Sequence, residues 1–299
     1  MSKRINLLRC VTSPKLIASI IEELNITGLE LEELIESIDN IERDLIKLNG
    51  LGRLFLTRKL DWLSSDTIRD LLNSQQLSEY KVQILDEVPS TNSYVLDKID
   101  ECVDKLVLTT EFQSFGRGRT NKRWMSRVAK DITASFVYWF DLEFNVVLLP
   151  LIAAIAVNRL LKDFQIRSKI KWPNDVLLDN GEKICGILLD SGVRQNKRFA
   201  IIGIGIDNII NIDRNILLTQ LIHNLDNVIS EYIVFGFNLL KQEWLDNCIH
   251  YQKDVNIIKD ERVIEAGINT GINDNGALLI RTLNGEVKKY NSANITLRW

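Results

Sequence analysis

The chain is expected to fold as α+β, in three successive parts: a small helical unit, a central mixed sheet with covering helices, and a β tail. Three observations predict this. Residues 14–60 repeat apolar side chains at helical spacing. From Glu79 the pattern changes to β-branched and aromatic strand segments around one long apolar helix. From Val255 only short strand segments remain, joined by Asn273-Asp274-Asn275-Gly276 and Asn284-Gly285 turns.

The elements follow in order. Leu16, Ile17, Ile20, Ile21 and Leu24 make one helical stripe, and Leu31, Leu34, Ile35 and Ile38 a second. Ile41, Leu45 and Leu48 make a third, which Gly50 and Gly52 end. Leu54-Phe55-Leu56-Thr57 is a short strand. Three short helices and a strand predict a winged-helix-like domain over 1–63. Residues 64–77 read as a helix capped by Ser64 or Ser65, within a linker over 64–80. The central domain, 81–251, carries strands at 82–85, 105–110 and 131–140, a buried helix at 146–164, and strands at 166–172, 176–178, 184–190 and 199–206. Asp179-Asn180-Gly181 marks a hairpin. Helices at 213–232 and 237–250 close that part. The tail, 252–299, has strands at 255–258, 263–270, 277–281, 286–290 and 295–297, predicting a small β-barrel.

Composition narrows the function. At 45% hydrophobic and 26% charged, an ordinary globular core is expected. A net charge of −3 gives no global signature for nucleic acid. Cys10, Cys102, Cys185 and Cys248 have no paired spacing, which fits free thiols in a reducing compartment. With only His223 and His250, a histidine-based metal site or a Ser-His-Asp triad is disfavoured. The first eight residues begin like a signal peptide, but Arg9 and Pro14-Lys15 interrupt them before an apolar core forms. The longest apolar run, 146–157, is too short to span a membrane. A cytoplasmic protein without membrane contact is expected.

Two motifs carry chemistry. Gly116-Arg117-Gly118-Arg119, followed by Lys122, Arg123 and Trp124, combines permissive backbone with permanent cations that grip carboxylate or phosphate. Alone, such a stretch reads as a solvated basic loop. Lys171-Trp172-Pro173-Asn174-Asp175 ends a strand at a rigid turn and holds one ammonium there. Alone, it reads as a strand–turn junction. Ser90-Thr91-Asn92 reads as a helix cap or as a polar cluster at a helix N-terminus. Gly203-x-Gly205 lacks the third glycine of a dinucleotide fingerprint and reads as close backbone packing, as does Gly186.

In this order, from about Asp86 to the C-terminus, the segments resemble the bacterial biotin protein ligases. The resemblance implies a biotin/lipoate-ligase-like central domain and an SH3-like C-terminal barrel. It implies activation of biotin by ATP to biotinyl-5′-adenylate, with Mg²⁺, then transfer to a lysine of a biotin carboxyl carrier protein. By the same resemblance Ser90, Thr91, Asn92, Gln113 and Gly186 line the biotin pocket. Gln113 offers the donor and acceptor that a cyclic urea requires. Gly116, Arg117, Gly118 and Arg119 cover the biotin carboxylate and the phosphate, and Lys171 bridges the two. Lys171 and Arg119 carry the catalysis. Arg117, Arg119, Trp124, Lys171, Asn174, Asp207 and Asn208 meet the adenylate. The protein by itself supplies no metal site.

Two departures stand out. Asp207 occupies a position where the family commonly has asparagine. Ile206-Asp207-Asn208 runs almost directly into Asp213-Arg214-Asn215, so the loop that covers adenine in long-type members is short or missing, and weak retention of the adenylate is expected. In bifunctional relatives an N-terminal winged helix-turn-helix represses biotin-synthesis genes. Here residues 1–80 carry thirteen acidic against ten basic side chains, and 37–48, the segment best placed as a recognition helix, is acidic. The open readings are a ligase, with or without a repressor role, a biotin-sensing DNA regulator, and a lipoate ligase. Homodimerisation stays open with them.

Overall fold

In a computed structural model of the chain, residues 2–209, 211–259, 261–291 and 296–298 are described. The N-terminal part contains α1 (Lys3–Cys10), β1 (Lys15–Leu16), α2 (Ile17–Leu24), α3 (Gly28–Asp39), β2 (Ile46–Leu48) and β3 (Arg53–Leu56). A capping box starts α3: the Thr27 hydroxyl accepts from the Glu30 N–H, and the Glu30 carboxylate accepts from the Thr27 N–H. That backbone hydrogen bond is the first cause holding the Glu30 carboxyl down at about 2. The three strands pair antiparallel in the order β1-β3-β2.

One element is added here and one expectation changes. Residues 3–10 form a helix whose Ile5, Leu7 and Leu8 are buried. Residues 41–48 do not. They form a turn and then β2, because Asn49 Oδ1 accepts the N–H groups of Leu51 and Arg53 and Gly52 takes φ +69°, which folds the chain into a hairpin. The glycines turn a hairpin rather than end a helix. The supposed recognition segment 37–48 is therefore the end of α3, a turn and a strand.

A linker helix, α4 (Ser65–Ser74), is capped by Ser64. The central part follows with β4 (Lys81–Val88), α5 (Thr91–Asp97), β5 (Leu106–Gln113), β6 (Gly116–Arg117), β7 (Arg123–Trp124), β8 (Ile132–Phe140), α6 (Leu149–Asp163), β9 (Ser168–Lys171), β10 (Asp175–Leu178), β11 (Lys183–Arg194), β12 (Lys197–Ile206), α7 (Arg214–Phe235) and α8 (Phe237–Asn247). Seven strands form one mixed sheet in the order β4-β5-β8-β12-β11-β10-β9. Only β4 and β5 run parallel. Helices α6 and α7 cover one face with the largest apolar cluster, and α5 covers part of the other. The expected helix 237–250 stops at Asn247. Cys248 is extended, and it bridges to Ile170 beside the edge strand β9.

A buried ion pair, Arg214 with Glu111, ties the start of α7 to β5, the strand that ends at Gln113. Arg214 also donates to the carbonyls of Asp61, Asp131 and Thr110, so most of its donors are satisfied inside the protein.

The tail comprises β13 (Asp254–Lys259), β14 (Arg262–Ile272), β15 (Leu278–Thr282), β16 (Val287–Tyr290) and β17 (Thr296–Arg298). They form an antiparallel sheet in the order β16-β15-β14-β13-β17, and among the described residues no pairing closes it into a barrel. Ile295, expected to start the last strand, lies outside the described residues. Val255, Ile257, Leu278, Ile280 and Leu297 join the same apolar cluster as α6 and α8.

Candidate active site

A cavity of about 230 Å³ lies between the β6–β7 hairpin, the N-terminus of α5, the turn after β9, and strands β11 and β12. Its lining brings together Ser90, Thr91, Asn92, Gln113, Arg117, Gly118, Arg119, Trp124, Lys171, Asn174 and Gly186. These segments are distant in sequence, and the sheet order makes them neighbours.

One end of the cavity is polar and neutral. Ser90 caps α5. The Gln113 amide oxygen accepts from the Thr91 N–H at 2.8 Å and from its hydroxyl at 3.1 Å. Buried Ser135 donates to the Thr91 hydroxyl or the Asn92 amide oxygen, at 2.7 and 2.5 Å. The Asn92 amide donates to Asp190 at 2.9 Å. Ser90, Thr91, Asn92 and Gln113 are all buried, so each group is locked by a partner before any ligand arrives.

The other end is cationic. Arg117, Arg119, Lys122, Arg123, Lys171 and Lys183 line it, and among the described lining residues one carboxylate, Asp175, faces them. Arg117 donates to Asp190 at 2.6 Å, and Arg119 to the Asn174 amide oxygen at 3.1 Å. Lys183 pairs with Asp175 at 2.7 Å and lies 5.5 Å from the Trp124 ring centroid. Burial pulls the Lys171 ammonium below its usual range, and Asp175 partly offsets this. Burial lowers Arg119 in the same way. A cation that burial has stripped of water gains from an arriving anion.

Strand β9 ends at Lys171, and the Trp172–Pro173 peptide that follows is cis. Asn174 closes the turn: its amide donates to the Ile187 carbonyl at 2.6 Å. The β6–β7 hairpin pairs Gly116 with Trp124 and Arg117 with Arg123. A Cβ on Gly116 would sit 2.5 Å from the Trp124 carbonyl, so this glycine supports the hairpin rather than the lining. The Trp124 indole N–H is buried without a hydrogen-bond partner.

Asp207 and Asn208 stand apart from the lining. Asn208 is buried, donates its amide to the Ile212 carbonyl at 2.7 Å and accepts from the Ile212 N–H at 3.1 Å. These bonds tie Asn208 to Ile212 within the short 207–213 connection. The Asp207 carboxyl is pushed up to about 6, first by burial and then by Asp131. Sequence reasoning passed over Lys183, Asp190 and Ser135. Lys183 lies three residues before Gly186 on one strand, a spacing that ordinarily faces opposite sides, and a register shift in the β10–β11 pairing lies between them. Leu297, from the tail, also lines the cavity. Among the described residues no cluster of three metal-ligating side chains occurs. No described helix is long and apolar enough to cross a membrane.

Residues 84–207 match the biotin/lipoate A/B protein ligase family, and residues 253–298 match the biotin protein ligase C-terminal domain. The two matches together span more than half of the chain. The chain belongs to the biotin protein ligases. It is 28% identical to the bifunctional ligase/repressor BirA of Salmonella typhimurium, over 93% of this chain and 91% of that protein. It is 26% identical to the bifunctional ligase/repressor BirA of Bacillus subtilis, over 81% of each. The fold resembles that of the biotin protein ligase of Aquifex aeolicus solved with biotin and ATP, with a TM-score of 0.63 and 24% identity over 73% of this chain and 98% of that one.

Proposed function

We propose that this chain is an ATP-dependent biotin protein ligase, which makes biotinyl-5′-adenylate and passes the biotin to a lysine of a biotin carboxyl carrier protein. The observation that carries the reading is the cavity itself. A locked, neutral amide–hydroxyl end adjoins a six-cation end with Lys171 at its turn. A ligand with a polar neutral ring and a carboxylate, beside a phosphate, matches both ends. The unpartnered Trp124 N–H supports a ligand acceptor nearby.

In this reading Ser90, Thr91, Asn92 and Gln113 hold the ureido ring of biotin. The biotin carboxylate attacks the α-phosphorus of ATP; the new P–O bond forms as the α–β bond breaks and pyrophosphate leaves. Two anions must meet, and Lys171, Arg117 and Arg119 offset their repulsion. Lys183 meets the departing phosphates. Mg²⁺ enters with ATP as their counter-ion. Among the described residues the lining offers one carboxylate, Asp175, already paired with Lys183, so the ion would be held chiefly through the nucleotide it arrives with. The acceptor amine then attacks the anhydride carbonyl and AMP departs, with no protein nucleophile required.

The short 207–213 connection leaves adenine little cover, so the adenylate leaves readily; a long-lived enzyme–adenylate complex in a trapping assay would count against this. Residues 1–63, 64–80, 81–251 and 252–299 act as winged-helix-like, linker, catalytic and SH3-like units in this reading. A repressor role is a second reading, favoured by the relatives that share the N-terminal segment.

ATP–pyrophosphate exchange tests the proposal. Exchange dependent on biotin and not on lipoate is expected, and Lys171→Ala lowers it by a factor of about 100 to 1,000. Exchange with lipoate instead would reassign the substrate. No exchange with either acid would leave a binding protein.

A further inference from the structure

His250 is a buried titratable group that this chemistry leaves unused. It is fully buried where α8 gives way to the tail. Residues 248–250 run beside the edge strand β9: Cys248 bridges to Ile170, and the Ile249 N–H donates to the Ile170 carbonyl at 2.9 Å. The next donor, just past the end of β9, is the Trp172 N–H. It goes to His250 Nε2 at 3.0 Å, so a side chain continues the ladder. That contact sits one residue beyond Lys171.

The contact fixes the ring's chemistry. A nitrogen that accepts an N–H carries no proton, so the neutral ring holds its proton on Nδ1. Nδ1–H then points to the Cys248 sulfur at 3.3 Å; the Asn269 amide nitrogen, 2.7 Å from Nδ1, is itself a donor and is taken by the His250 carbonyl at 3.1 Å. An imidazolium would set one N–H against another at Nε2. Burial and then Lys171 push His250 down to about 3, which keeps it neutral. Cys248, Asn269, Trp244, Lys171 and Lys253 are the groups around it. The Trp172 indole N–H donates to the Gly276 carbonyl at 3.0 Å, so the tail holds the same residue from its other end.

We propose that His250 is a positioning residue for adenylation: its neutral Nε2 pins the Trp172 amide and thereby sets the strand end that presents Lys171. The inference rests on the ligase reading above. It also links the tail to the reacting centre through a single imidazole.

The test compares His250→Leu, which cannot accept, with His250→Gln, whose amide oxygen can, in the full chain. Both are measured for ATP–pyrophosphate exchange, biotin binding without ATP, thermal unfolding and hydrogen exchange at the Trp172 amide. The expected His250→Leu is folded, binds biotin normally and loses kcat by about a hundredfold with little change in KM, as a misplaced group would. It also loses protection at the Trp172 amide. The expected His250→Gln keeps wild-type kcat and protection. Full exchange activity in a folded His250→Leu overturns the proposal. So does a folded His250→Gln that loses as much kcat as the leucine variant. If His250→Leu does not fold, His250→Gln decides: folded and active supports the proposal, folded and inactive overturns it. Absence of exchange in the wild type defeats the ligase reading instead, and Trp172 protection in the two variants still tests the hydrogen bond.

Discussion

Gly186 and Gly205 face each other across β11 and β12, and the Trp124 indole lies over both. A Cβ on Gly186 would come within 2.9 Å of the ring, and one on Gly205 would overlap it. Gly203, two residues along, leaves space for the Asn92 amide in the same way. The two strands thus form a flat floor on which the hairpin tryptophan and the polar end both rest. Gly205→Ala is expected to lift Trp124 and the arginines that precede it. The KM for biotin should rise about tenfold or more, the effect of losing 1.4 kcal/mol of binding, while the unfolding temperature changes little. An unchanged KM would mean that the hairpin is not seated by the floor when substrate is bound.

Those glycines also show what sequence can and cannot reveal. Close packing at Gly203 and Gly205 was legible, because a glycine inside a strand signals near approach. The packing partner, Trp124, was not, since it arrives from a hairpin about eighty residues earlier. Lys171 and the loop arginines were legible because rigid turn residues and permanent cations are local features. Asp190 and Ser135 were not: each looks like any strand residue until the sheet order sets it beside Asn92. The third N-terminal helix failed for a related reason. Ile41, Leu45 and Leu48 repeat at helical spacing, yet Asn49 and Gly52 turn the chain into a hairpin that exposes Leu48. Turn chemistry overrode periodicity.

Asp207 should make stability depend on pH. Its carboxyl is raised to about 6 by burial first and by Asp131 second. Below about pH 4 it is protonated in folded and unfolded chains alike. Between there and pH 6 the unfolded chain releases a proton that the fold retains, so stability is lost as pH rises through that window. Asp207→Asn removes the cost. Its unfolding temperature should equal that of the wild type near pH 4 and exceed it increasingly up to pH 6 and above. A gain confined to acid pH would mean that the folded protein favours the carboxylate.

The cationic hairpin is anchored on one side by the N-terminal unit. Arg58 pairs with Glu42 at 2.7 Å and donates to the Val128 carbonyl at 2.6 Å. The Asp61 N–H reaches the Ala129 carbonyl at 2.9 Å. Upstream of this clamp, Arg117, Arg119, Lys122 and Arg123 repel one another in the absence of an anion. Trypsin should cut within 117–123 in the free protein, and biotin with ATP should slow that cleavage at least about tenfold by ordering the segment. Arg58→Ala should speed ligand-free cleavage while costing only about 0–1 kcal/mol of global stability, since the pair is partly exposed. Equal cleavage rates with and without ligands would mean that the hairpin is already ordered.

The N-terminal unit raises the last expectation, which concerns DNA. Helix α3 carries Glu30, Glu32, Glu33, Glu36 and Asp39 and no lysine or arginine. Of the nearby cations, Lys47 pairs with Asp44 at 3.2 Å, Arg58 is committed to Glu42, and Lys3 pairs with Glu30 at 3.0 Å. Laying α3 in a groove would bring four glutamates and an aspartate towards phosphates. Each phosphate contact adds about −0.9 to the slope of log affinity against log salt. The expected slope is therefore shallow, and biotin-operon duplex should be bound no more tightly than random duplex. Glu32→Lys with Glu33→Lys should steepen the slope and raise non-specific binding. A steep slope in the wild type, with preference for one duplex, would instead mean that the hairpin cations Arg53 and Lys59 carry the contact while α3 faces away, and the repressor reading would then stand beside the ligase.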